Sequence, residues 1–111
     1  NVGSAWASFH GDRIDARLGA ELLVHDFNGD AQLDLLFSAP DSDISVDQGG
    51  VVYFVEGYIP QGTSTPQAQY YGTEDFAGMG SSILGTDQGL YIGAPGVNMD
   101  AGDVYLLNWD E

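Results

Sequence analysis

The chain has 111 residues and 11.8 kDa, 43% of them hydrophobic, which makes one small domain with a modest core. Seventeen acidic residues stand against two arginines and no lysine, a formal charge of −15 that repels phosphate backbones and anionic lipid and attracts cations. The absence of cysteine and lysine excludes disulfides, thiolate nucleophiles, cysteine-based metal sites, Schiff-base chemistry and a P-loop.

In chain order, short runs rich in Val, Tyr, Phe and Ile predict strands over 5–9, 22–24, 33–39, 51–55, 67–71, 82–84, 90–94 and 104–107. Gly, Asp, Asn, Ser and Pro separate them and favour turns. The periodicity of amphipathic helices is missing. No apolar run approaches the roughly 20 residues that a membrane-spanning helix needs. Position 1 is Asn and no basic-then-apolar leader follows, so the chain is expected to be a mature or excised piece.

The strands repeat. Gly11 and Gly19 are eight apart, as are Gly72 and Gly80, with an offset of 61 between the pairs. Ala7-Ser8-Phe9-His10-Gly11 matches Ala68-Gln69-Tyr70-Tyr71-Gly72, and Gly19-Ala20-Glu21-Leu22 matches Gly80-Ser81-Ser82-Ile83. Leu36-Phe37-Ser38-Ala39-Pro40 matches Tyr91-Ile92-Gly93-Ala94-Pro95. The run Gly50-Val51-Val52-Tyr53-Phe54-Val55 matches Gly102-Asp103-Val104-Tyr105-Leu106-Leu107. A duplicated four-strand unit of roughly 50 residues is the pattern of propeller blades, with a closed eight-strand sandwich as the other solution.

The copies differ in one place. From Gly19 to Ala39 is 20 residues, but from Gly80 to Ala94 only 14. The first copy carries an acidic loop where the second has a plain turn over Gly85-Thr86-Asp87-Gln88-Gly89. In that loop Asp26, Asn28, Asp30 and Asp34 occupy positions 1, 3, 5 and 9. Such spacing starts the D-x-[DN]-x-[DN] calcium pattern, in which alternate residues of a tight turn converge. The Gln32 carbonyl at position 7 adds a backbone oxygen. Ca²⁺ takes six to eight hard oxygens at roughly 2.3–2.6 Å, and carboxylates packed this closely repel one another without it. Ala31 replaces the glycine that a helix–loop–helix site has at position 6, and Phe37 stands at position 12, so the expected site is strand–loop–strand. The bland alternative is a solvated acidic turn.

Other chemistry is thin. Neither His10 nor His25 belongs to a Ser-His-Asp set or an H-E-x-x-H run. Asp41, Asp43 and Asp47, and in the second copy Asn98, Asp100 and Asp103, form loops that are either solvated or a second cation site. Trp6, Trp109, Tyr70 and Tyr71 read as packing residues or as an aromatic patch for a partner.

The loop, the apolar strand with its small-Ala-Pro end and the Gly-Val-x-Tyr strand together resemble the FG-GAP repeat. That repeat builds the propellers of integrin α subunits and also follows the catalytic domain of glycosylphosphatidylinositol-specific phospholipase D. The resemblance runs from Ala5 to about Leu107, with Leu18-Gly19 and Met79-Gly80 in place of Phe-Gly. The order, a calcium-loop blade followed by one without, is most similar to the end of the phospholipase D. The resemblance implies an all-β chain of two four-stranded antiparallel blades. The first would be 1–65, with the calcium loop and an N-terminal outer strand over 4–10 left from a preceding blade; the second would be 66–111. It implies Ca²⁺ on Asp26, Asn28, Asp30, Gln32 and Asp34, and an extracellular or secreted location.

Propellers typically need four to eight blades, so two cannot close a ring. The expected partners are therefore other blades, from copies of this chain or the rest of a parent protein, and a protein ligand. Nucleic acid and direct membrane insertion are not expected. Two functions follow. One is a non-catalytic calcium-binding propeller segment for protein interaction or structural support. The alternative is the C-terminal propeller portion of a phospholipase-D-like hydrolase acting on glycosylphosphatidylinositol anchors, whose zinc chemistry would lie outside this chain.

Overall fold

The computed structural model describes residues 5, 7–26, 29–57, 59–63, 65–66, 68–86 and 89–108, apart from the side chain of Asn108. The elements are β1 (Leu22–His25), β2 (Asp34–Ala39), β3 (Val51–Val55), β4 (Ala68–Tyr71), β5 (Ser82–Thr86), β6 (Gly89–Ala94), a one-turn segment α1 (Val97–Asp100) and β7 (Asp103–Asn108). They form two antiparallel sheets in simple chain order, β1-β2-β3-β4 and β5-β6-β7. The fold is all-β, as the strand-rich sequence predicts.

Side-chain alternation explains how the sheets stack. Successive residues of a strand point to opposite faces. Leu36 and Val52 turn to the second sheet and meet Leu90, Ile92 and Ala94, with Ala77, Met79 and Val97 closing the cluster. Their neighbours Phe37, Ala39, Val51, Tyr53 and Val55 turn the other way into a second cluster. That far face is covered by the N-terminal segment through Phe9, Ala16 and Leu18, with the Phe9 ring centroid 4.9 Å from that of Phe37. The first sheet is therefore packed on both faces. The first strands of the two sheets, β1 and β5, lie beside each other.

Three expectations need correction. The described residues of 5–9 form no strand. A strand needs a ladder, and among the described residues this segment joins none: the Ser8 amide donates to the Thr63 carbonyl at 3.2 Å and Phe9 serves as cover for Phe37. The second sheet has three strands among the described residues rather than four. The counterpart of β4 would follow β7, where Trp109, Asp110 and Glu111 lie outside the described residues, as does Trp6. Finally, β5 and β6 run further than predicted, because Thr86 pairs with Gly89 and extends the hairpin.

α1 was not foreseen. Asn98, Met99 and Asp100 have φ of 53°, 55° and 74°, so this turn is left-handed rather than a regular helix. It is held from outside: the Asn98 amide donates to Glu74 Oε1 at 2.6 Å.

Candidate functional site

The acidic loop joins β1 to β2, with His25 and Asp34 paired across its base. Asp26 organises it. Its Oδ1 accepts the amides of Gly29 at 2.9 Å and Asp30 at 3.2 Å, and its Oδ2 accepts that of Ala31 at 2.8 Å. The backbone can wrap one side chain this tightly because Gly29 and Ala31 sit at φ 77° and 68°. Asp30 Oδ1 accepts the Gln32 amide at 2.9 Å, a local Asx turn. Asn28 lies outside the described residues.

Asp34 differs from the half-buried Asp26 and the exposed Asp30, being 1% exposed at the start of β2. Its Oδ1 accepts the Gly57 amide at 2.8 Å. Gln32 reaches the same glycine: its Oε1 lies 2.6 Å from where a β-carbon on Gly57 would stand. The end of β3 thus supports the loop through a residue that sequence reasoning did not single out. Gly57, with φ 62°, has only its place just past a strand as a sequence signal.

The loop acids are turned onto backbone amides, and among the described residues no three His, Cys, Asp or Glu side chains are gathered as a metal-holding group. Amide donors stabilise closely spaced carboxylates much as a cation would. In the second sheet the equivalent connection is the short β5–β6 hairpin, where Thr86 Oγ1 donates to the Gly89 carbonyl at 3.3 Å.

The next acidic loop has its cations already. Arg17 pairs with Asp41, and Arg13 pairs with Asp43 at 3.0 Å. These are the chain's two arginines, both drawn from the N-terminal segment. Asp43 also accepts the Gln48 amide at 2.7 Å, and that bond, with Arg13 adding to it, holds its carboxyl below the usual aspartate range. The Arg17 guanidinium is pushed up by its hydrogen bond to Asp41. The pairs fasten residues 13–17 across the loop beside the Ala39–Pro40 strand end. In the second copy, Asp103 is the first residue of β7 rather than part of a loop, and it accepts the Tyr105 hydroxyl at 3.3 Å. His10 sits 3.3 Å from Ser8 Oγ on the surface.

No helix among the described residues is long and apolar enough to cross a membrane. No protein-family model matches the chain. The chain is similar to integrin alpha-IIb of Mus musculus, 35% identical over 80 residues, an alignment covering 67% of this chain and 8% of that protein. The similarity supports an integrin-α-like repeat and lends nothing to the phospholipase D side of the resemblance.

Proposed function

We propose that this chain is a non-catalytic, calcium-binding segment of an FG-GAP-type β-propeller that serves protein interaction or structural support outside the cell. Other blades complete the ring. The observation that carries the reading is the asymmetry between the two units. Where the second closes with a tight hairpin, the first inserts a loop folded about Asp26 and rooted on Asp34 and Gly57.

The donor set suits a hard dication. Asp26, Asn28, Asp30, the Gln32 carbonyl and Asp34 offer oxygen alone, and carboxylate and carbonyl oxygens are what Ca²⁺ selects. These residues would hold the ion, which would supply charge neutralisation and rigidity rather than chemistry. The loop is tied through Asp34 to the end of β3, so a rigid loop would fix one end of the first sheet as a binding face. The similarity to integrin alpha-IIb supports the same reading.

A ligand that binds only the folded state stabilises it by about 2.7 kcal/mol at a hundredfold excess over its dissociation constant. The melting temperature should therefore rise with Ca²⁺ and fall with chelator in the wild type, and Asp30→Ala should flatten both responses. A wild-type melting temperature indifferent to calcium and chelator would discard the site.

A further inference from the structure

We propose that Gly57 is the positioning residue of the cation site in the β1–β2 loop: it sets where Gln32 and Asp34 stand, and so how tightly the loop takes calcium. This role rests on the calcium reading above and belongs to a residue outside the loop itself.

The two halves of the loop are supported differently. In the first half, Asp26 accepts the amides of Gly29, Asp30 and Ala31, all within five residues of it. In the second half, Asp34 Oδ1 accepts the Gly57 amide at 2.8 Å, across 23 residues of chain. The Gln32 side chain lies over the same glycine. Its Oε1, Cδ and Cβ are 2.6, 3.8 and 4.0 Å from where a β-carbon on Gly57 would stand. The two later donors of the set thus converge on one backbone position at the end of β3.

Glycine suits that position for two reasons. Its φ is +62°, in the left-handed region where an L side chain is strained. A β-carbon would also overlap Gln32 Oε1. The end of the Gln32 side chain can swing aside. Strain at φ +62° is relieved only by rotating the backbone at the amide that fixes Asp34, and Asp34, 1% exposed, has little room to follow. Ligating carboxylates are oriented by hydrogen bonds to groups that never touch the ion, and loss of such a partner typically weakens metal binding about 10–100-fold.

The repeat shows the same pairing of loop and glycine. The match of 50–55 to 102–107 carries Gly57 onto Trp109. The unit with the acidic loop has a glycine at this place, and the unit with the short hairpin has the bulkiest side chain. Loop and glycine are present together in one unit and missing together from the other.

The test is calcium binding by calorimetry, with thermal melts in calcium and in chelator, on the full chain. Gly57→Ala should raise the calcium dissociation constant about 10–100-fold and shrink the calcium-induced rise in melting temperature. Gly57→Asn keeps the measurement available should the alanine variant not fold, because Asn tolerates positive φ and still carries the β-carbon. It should weaken calcium binding less than Gly57→Ala does. Gln32→Ala keeps the main-chain carbonyl and should bind calcium like wild type; combined with Gly57→Asn it should restore part of the lost affinity, since it removes the side chain that the β-carbon meets. A residue that only shapes the fold would lower the melting temperature in chelator and leave the dissociation constant alone. Gly57 variants that bind calcium as tightly as wild type would therefore overturn the proposal. A wild type that binds no calcium would overturn the calcium reading and this role with it, so the wild type alone tells the two failures apart.

Discussion

The carboxylate of Asp34 and the amide of Gly57 meet at 2.8 Å, 23 residues apart in the chain, and join the root of the acidic loop to the end of β3. A carboxylate at 1% exposure is costly unless hydrogen-bonded or paired with a cation. Asp34→Ala would leave the Gly57 amide without this acceptor, at a cost of about 1–3 kcal/mol. Asp34→Asn keeps an acceptor and should cost less. Urea unfolding in chelator, which isolates the hydrogen bond from any bound ion, should show that order.

Leu36 and Leu84 are both strand leucines, but Leu36 is fully buried between the sheets and Leu84 is 59% exposed. Leu36→Ala should lose about 2–5 kcal/mol. Leu84→Ala should change the stability of the monomer by no more than about 0.5 kcal/mol. Denaturant midpoints at low protein concentration check the contrast.

Ser38 is fully buried and, among the described residues, its Oγ has no hydrogen-bond partner. The second unit has Gly93 at the matching position. Removing an unsatisfied buried hydroxyl relieves a desolvation cost. Ser38→Ala should therefore leave stability unchanged or raise it by up to about 1 kcal/mol, whereas Gly80→Ala, which drives a β-carbon into Ser38 at a positive φ, should lower it. Thermal melts of the two variants should move in opposite directions or leave Ser38→Ala level with wild type.

The Gln48 amide and Arg13 hold the Asp43 carboxyl below its ordinary value in the folded chain. A depressed folded value means that the unfolded chain takes the proton first. The contribution of Asp43 to stability is then fully present above the ordinary aspartate range of about pH 4 and is lost as pH falls through the depressed folded value. Melting temperatures of wild type and Asp43→Asn measured from neutral pH into strong acid should differ most at neutral pH and converge in acid. A constant gap would contradict the assignment.

Local pattern carried most of the fold. β-Rich runs bounded by turn residues placed β1 to β7 to within a few residues, and the repeat set the facing of both sheets: Leu36 and Tyr91 turn one way, Phe37 and Ile92 the other. The segment 5–9 has strand composition without a strand, because composition does not supply a partner. The left-handed turn at Asn98 depends on Glu74, and the arginine pairs join residues 24 and 30 apart, Arg17 with Asp41 and Arg13 with Asp43. Such long-range contacts leave no local signal. At the candidate site, the spacing of Asp26, Asp30 and Asp34 was legible and their hold on backbone amides was not, since those bonds depend on the loop's positive-φ turns at Gly29 and Ala31.

A calcium titration followed by amide NMR tests the divalent ion proposed for the β1–β2 loop. The resonances of Gly29, Asp30, Ala31 and Gly57 should move together and saturate at one equivalent, with Mg²⁺ a weak competitor. Unmoved loop resonances, or shifts confined to the loop around Asp41 and Asp43, would contradict it.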